Sequence, residues 1–282
     1  MSAKIAFPES PRVPAELPLY ATVRPAWNPD RVAELGSRLG VRGSVVDAGA
    51  WFIVRDGVST LEVYQASHSF RFGRDDFDSE GRGESSHALD RDRAVAVAER
   101  FHGGLEATQA HAELHSVTEF RVTVATRGER AREARVVGLQ VNHRYTLDGL
   151  PLVGPGAKGQ VTVGQDGQLA QAYRFWRDVK RVGARRAVTP DQAFERLTAT
   201  ELFADLPNSA KVKVTNVRLG LLCLPPSETQ GVLLPAYAVR GEVSTELLPR
   251  YQFVTYVAAA EVGEAEAKRN RWPLARPALL VA

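Results

Sequence analysis

The order of local signals constrains this chain more than any one residue does. Helix starts are each followed by several alternating strands, and no helix is flanked by single strands. Asn28-Pro29-Asp30 is an N-cap with proline at the first helical position, followed by Val32, Leu35 and Leu39 on one face and Gly40 as a stop. Asp90 caps a second helix with Ala94, Val97, Ala98 and Phe101 on its face, ended by Gly103-Gly104. Thr189-Pro190-Asp191-Gln192 is a capping box opening a third, with Ala193, Phe194, Leu197 and Leu202 as its apolar side. This rhythm argues against a parallel Rossmann-type sheet, which needs a helix between successive strands.

The strands between these helices alternate with period two. Val137, Leu139, Val141, Tyr145 and Leu147 share a face, opposite Gln140, Asn142, Arg144 and Thr146. Asp56-Gly57 separates Trp51–Val54 from Leu61–Tyr64, and Gln165-Asp166-Gly167 separates Gln160–Val163 from Leu169–Trp176, both as hairpins. Phe70–Phe72 is a possible further strand, and a strand carries Phe120, Val122 and Val124. Three more strands are expected over 211–224, 231–242 and 250–259. The predicted fold is α+β: repeated units of a helix plus an antiparallel β-meander, with helices packed on one face of the sheets. The expected organisation is an N-terminal arm over 1–27, a small helix-hairpin module over 28–75, a larger module of two helix-plus-meander units over 88–260, and a polar C-terminal tail over 261–282. The glycine-rich acidic stretch 73–86 reads as an exposed loop or linker.

Composition excludes whole classes. Cys223 is the single cysteine, so an intrachain disulfide and a cysteine-based zinc site are impossible. No run of about 18 apolar residues offers a membrane-spanning helix. The net charge of +3 over 282 residues is too small to mark a nucleic-acid binder, although thirty of the 36 cations are arginine. At the N-terminus, Lys4 is followed by only three apolar residues before Pro8, which is no signal peptide. The compartment is cytoplasmic if Met1 is the native start, extracytoplasmic if a signal sequence was removed.

Gly149-Leu150-Pro151-Leu152-Val153-Gly154, then Val161-Thr162-Val163 and Asp166-Gly167, form a meander ending on an Asp-Gly hairpin; Leu234–Gly241 adds a later strand of similar kind. Over about residues 90–260 this resembles the PepSY/FTP-type modules and, among them, the YycH/YycI-like bacterial regulatory proteins. The resemblance implies a non-catalytic module that binds or inhibits an enzyme, or senses a ligand, outside the cytoplasm.

Motifs for chemistry are sparse. His111 and His115 lie four apart, with His102 nearby, but Ala112 occupies the position where a zincin requires glutamate. Asp76-Phe77-Asp78-Ser79-Glu80-Gly81 starts like a calcium loop, yet its twelfth position is His87 rather than glutamate. Cys223 sits in an apolar run, as an inert thiol does, and neither a G-x-S-x-G elbow nor P-loop spacing occurs. No metal and no cofactor is called for.

His143 is the exception, because it falls on the apolar face between Val141 and Tyr145. A buried imidazole is either a core residue bonded to a carbonyl or a neutral base or donor facing a ligand. Tyr173-Arg174-Phe175-Trp176-Arg177 interleaves aromatic and cationic groups that suit a carboxylate or an acidic partner better than nucleic acid. The candidate ligand-binding residues are therefore His143, Tyr145, Tyr173, Trp176, Arg174 and Arg177. Two readings follow: a non-catalytic binding or regulatory protein recognising a protein partner or small organic ligand, or a cofactor-independent cyclase or isomerase with an apolar pocket.

Overall fold

A computed structural model of the chain describes residues 4–6, 11–76, 90–103, 105, 111–123, 125, 127–128, 133–198, 203, 206–207, 209–246, 250–263 and 278–280. The acidic stretch read as a calcium-loop mimic lies outside these from residue 77 on, as does most of the segment read as a polar tail. In chain order the elements are β1 (Lys4–Ala6), β2 (Glu16–Thr22), α1 (Pro29–Arg38), β3 (Val45–Asp47), β4 (Trp51–Asp56), β5 (Ser59–Tyr64), β6 (Phe70–Arg74) and α2 (Arg91–Gly103). Then come β7 (His111–Val122), β8 (Arg135–Leu147), β9 (Leu150–Val153), β10 (Lys158–Gly164), β11 (Leu169–Phe175) and β12 (Val179–Arg186). The chain continues through α3 (Pro190–Thr198), β13 (Lys211–Leu222), β14 (Val232–Ser244), β15 (Tyr251–Ala258) and β16 (Ala278–Leu280).

Strand, not an even mixture of helix and meander, dominates. Among the described residues sixteen strands join in one hydrogen-bonded network whose main path runs β12-β2-β14-β13-β9-β8-β10-β11-β6-β5-β4-β3. The expectation of repeated helix-plus-meander units with helices packed on the sheets is therefore wrong. The three helices of 10, 13 and 9 residues among the described residues cover small parts of this sheet and do not divide it. Three long-range pairings erase the units. Strand β2 runs antiparallel to β12 and β14, and β9 runs parallel to β13, so Leu221 lies beside Leu152. A sheet edge exposes unpaired N–H and C=O groups. Joining edges across the presumed unit boundaries satisfies them, which explains the single mixed sheet.

Local chemistry sets the turns. Asp56 pairs with Ser59 across Gly57-Val58, closing β4 onto β5. Between β8 and β9, Asp148 at φ 49° and Gly149 at φ 77° are both left-handed, as a tight primed turn requires. The Asp148 carboxylate accepts a hydrogen bond from the Tyr20 hydroxyl of β2, tying this turn to a strand that is not its neighbour in the sheet. Asn28 caps α1 by accepting from Arg31 N at 2.9 Å, and Thr189 and Gln192 exchange both bonds of the capping box at α3.

Three clusters carry most of the core. Val32 of α1 packs on Phe52, Val54, Leu61, Val63, Phe70 and Phe72. Ala94 and Ala98 of α2 pack on Leu139, Val141, Val161, Val163 and Ala172. Ala193, Phe194 and Leu197 of α3 pack on Val212, Val214, Tyr237, Val239, Phe253 and Val257. Each fully buried side chain of this kind contributes about 1.5–3 kcal/mol. Alanines on α2 bring its backbone close to β8 and β10, and that close approach positions the site described next. Among the described residues no helix is long and apolar enough to cross a membrane.

Candidate functional site

Pairing across four strands aligns His143 of β8, Gly159 of β10, Arg174 of β11 and Phe70 of β6 in one row. Neighbouring strands lie about 4.8 Å apart, and the absent side chain at Gly159 lets the Tyr145 hydroxyl and the His102 ring close in over the strand between the imidazole and the guanidinium. Gly159 is not there for its backbone, since its φ lies outside the left-handed range. It is there for space. A Cβ at this position would lie 2.8 Å from the Tyr145 hydroxyl and 3.1 Å from the His102 ring.

Helix α2 delivers the second imidazole. Ala94, Ala98 and His102 follow each other at four-residue steps along one stripe, and the alanines seat that stripe on the sheet. The His102 and His143 rings meet edge to face with centroids 4.5 Å apart. Phe101 flanks His102 at 5.4 Å and Phe70 at 6.1 Å. The Arg174 guanidinium lies over the Phe70 ring at 5.9 Å. Tyr145 packs against Trp176, ring centroids 5.6 Å apart, and is 2% exposed.

Among the described residues, three buried polar atoms around Gly159 have no hydrogen-bond partner: His102 Nε2, His143 Nδ1 and the Tyr145 hydroxyl oxygen. An unpaired buried polar group costs about 1–3 kcal/mol, and native proteins retain few of them. Three clustered around one glycine is the arrangement expected where a ligand supplies the missing partners. Burial holds both imidazoles neutral. His102 is pushed down to about 4, first by burial and then by His143 and Arg174. His143 is lowered by burial, with Glu99 opposing. Burial also raises the Tyr145 phenol to about 12, so it remains a donor at neutral pH.

This protonation pattern has a consequence for stability. Unfolded imidazoles take up protons near pH 6.5, whereas these two resist in the folded state. Their contribution is complete above about pH 6.5 and is lost as pH falls, for His102 towards about 4. Urea melts between pH 7 and 5 are expected to show stability falling with pH, and His102→Phe is expected to remove about half of that slope. An unchanged slope would show that the two rings do not carry it.

The other sequence candidates divide. Trp176 is buried at the edge of the gap, its indole N–H donating to Asp178 Oδ1 at 2.7 Å and its backbone N–H to Ser69 Oγ at 2.9 Å. Tyr173 lies on the opposite sheet face, stacked on Phe175 with centroids 4.7 Å apart, and cannot join His143. Arg177 is 2% exposed and donates to the carbonyls of Leu224, Pro225 and Glu228 at 2.8, 2.7 and 2.7 Å. It braces the loop 224–228. His111 and His115 stand exposed on strand β7, not on a helix, and among the described residues no three His, Cys, Asp or Glu side chains group as metal ligands. Cys223 is buried, its thiol pushed up to about 12 by that burial.

Gly159 was absent from the sequence candidates, and His102 was weighed only beside the His111 and His115 pair. The four-residue stripe through Ala94 and Ala98 points to His102. Nothing local to Gly159 distinguishes it from the other glycines of the turn before it.

No family profile matches the chain, and no curated protein matches it. Among solved structures it is similar to an uncharacterized protein from Eubacterium rectale ATCC 33656, with a TM-score of 0.55 and 10% identity, covering 93% of this chain and 88% of that one. That likeness is one of fold.

Proposed function

We propose that this chain is a non-catalytic binding protein that holds a small polar organic ligand between the end of α2 and strands β8, β10 and β11. The observation that carries this reading is the clustering of His102 Nε2, His143 Nδ1 and the Tyr145 hydroxyl around Gly159, all buried and, among the described residues, unpartnered. A carbonyl or carboxylate oxygen would accept from Tyr145, and the two imidazoles would bond the ligand according to their tautomers. The aromatic walls supplied by Phe70, Phe101 and Trp176 suit an organic ligand. A ligand-sensing role agrees with what resemblance to PepSY-like modules implies.

The test uses acetate as the probe, titrated at constant ionic strength while the ring signals of His102 and His143 are followed by NMR. Both signals are expected to shift saturably, with Kd about tenfold weaker in Tyr145→Phe, a loss of about 1.4 kcal/mol. Shifts equal to those caused by chloride would sink the reading. The same variant separates a ligand site from a packed core. Without ligand, Tyr145→Phe removes an unpartnered hydroxyl and is expected to stabilise the protein by about 1 kcal/mol in urea melts. A loss of stability would mean that the hydroxyl is already bonded, by a fixed water for example.

A second reading has its own support. Two neutral imidazoles beside a phenol are proton-transfer groups, which a cofactor-independent isomerase or cyclase would use. Its test is exchange of the pyruvate methyl protons in D2O. Exchange at least tenfold faster with the native protein than with His143→Phe favours the enzyme; equal rates favour binding.

A further inference from the structure

The sheet has a second face, turned away from His143. On β8 the buried run Val141, His143, Tyr145 and Leu147 points one way, and the exposed Arg144 between them points the other. The register of β13 and β14 pairs Asn216 with Arg240 and Arg218 with Ala238. Arg218 and Arg240 are thus diagonal neighbours on adjoining strands, at a Cβ separation of about 7–8 Å. Ala238 pairs in turn with Tyr256 of β15, so a small side chain and a phenol lie beside the two guanidiniums. Gly220, two residues on from Arg218, lets β9 approach β13 closely, because a Cβ there would strike Pro151 O and Val153 Cγ1.

Arg144, Arg218 and Arg240 are close enough for the second and third to lower the first, after burial, by repulsion. Arg144 and Arg218 act in the same sense on His115 of β7. All three arginines are exposed, and among the described residues none of them forms an ion pair. The nearest carboxylates are engaged elsewhere. Glu242 binds Arg250, and Glu113, opposite Arg144 in register, accepts from Thr146 Oγ1 at 3.5 Å. Three like charges held together on strands of one rigid sheet repel each other until an anion arrives.

We infer that this face, at Arg144, Arg218 and Arg240, docks an acidic extended segment of a partner protein. Alternate residues of an extended chain stand about 6.6–6.8 Å apart. That spacing matches the diagonal between Arg218 and Arg240, so a segment with Glu or Asp at every second position would meet both, each guanidinium taking a carboxylate by two parallel N–H bonds. A uniform phosphate backbone fits less well, because Glu113, Glu119 and Glu242 border the patch on β7 and β14. The surface is independent of the ligand gap, which lies on the other side of the sheet.

The experiment measures fluorescence anisotropy of a fluorescein-labelled octapeptide of alternating Glu and Thr, with a Gln-Thr octapeptide and an octathymidylate as comparisons, at 50 mM salt on the order of one Debye length of 13 Å. The Glu-Thr peptide is expected to bind, and Arg218→Gln with Arg240→Gln to weaken it at least tenfold. The control pair Arg42→Gln with Arg55→Gln, which removes the same charge elsewhere, is expected to change it less than twofold. Equal losses from the two pairs, no binding by the Glu-Thr peptide, or oligothymidylate binding as tight as the peptide's would each overturn the proposal. All four positions are exposed, and thermal melts of both variants check that they remain folded.

Discussion

Arg177→Met is expected to cost about 3 kcal/mol of stability in urea melts, among the largest single-site losses outside the apolar core. The guanidinium is buried and meets no carboxylate; its partners are the carbonyls of Leu224, Pro225 and Glu228. Two effects oppose each other. Removing a buried cation relieves its desolvation, the same burial that lowers the Arg177 pKa. Against that stand three charge-assisted hydrogen bonds, each worth about 1.5–3 kcal/mol, and the Leu224 carbonyl, which no water replaces because Leu224 is 6% exposed. Pro225 and Glu228 are only half-buried and recover part of their loss from solvent, which is why the total is set near 3 rather than 6. Arg177→Lys is expected to recover little, since an ammonium lacks the planar fork that reaches carbonyls on three different residues. A loss below about 1 kcal/mol for Arg177→Met would show that the loop 224–228 holds its shape without the guanidinium.

This role of Arg177 marks the boundary of what could be read from residues alone. The alternation of Arg174, Phe175, Trp176 and Arg177 showed that cations and aromatics interleave, but not that one guanidinium would turn inward to a loop nearly fifty residues away. Period-two arithmetic already separates Tyr173 from Arg174 and Trp176, and the structure places Tyr173 on the far face accordingly. His143 was legible for the same reason: β8 is long enough for its frame to be unambiguous. Turns and caps were legible because their chemistry is local, as at Asp56-Gly57, Asn28 and the Thr189–Gln192 box. The architecture was not legible. Whether β2 pairs with its sequence neighbours or with β12 and β14 is decided by edges that close only when the whole chain has folded. That is where the picture of repeated units failed. Gly159 was hidden for a related reason, since what matters about it is the pair of side chains that converge on its empty position from β8 and α2.

Gly159→Ala is expected to be the most informative substitution at the gap, and it is expected to act twice. Its methyl group would lie 2.8 Å from the Tyr145 hydroxyl and 3.1 Å from His102, closer than unstrained carbon contacts permit. Tyr145 is wedged against Trp176 and cannot swing clear, so the strain of an overpacked core, about 1–3 kcal/mol, falls on the folded protein. The same methyl displaces the Tyr145 hydroxyl and the His102 ring, the groups that would bond the ligand, so the acetate-dependent shifts of His102 and His143 are expected to vanish. Tyr145→Phe removes the hydroxyl that the methyl strikes. In the double variant the clash with Tyr145 disappears while that with His102 remains, and the two changes are therefore expected to be less destabilising together than their sum, by about 1 kcal/mol or more. Acetate binding is expected not to return, because the donor and the space are both gone. Simple additivity of the two stabilities would mean that Tyr145 and Gly159 do not share a gap, and binding by Gly159→Ala at native affinity would move the ligand elsewhere. If stability is rescued and binding is not, the two results together separate the packing of this gap from its use.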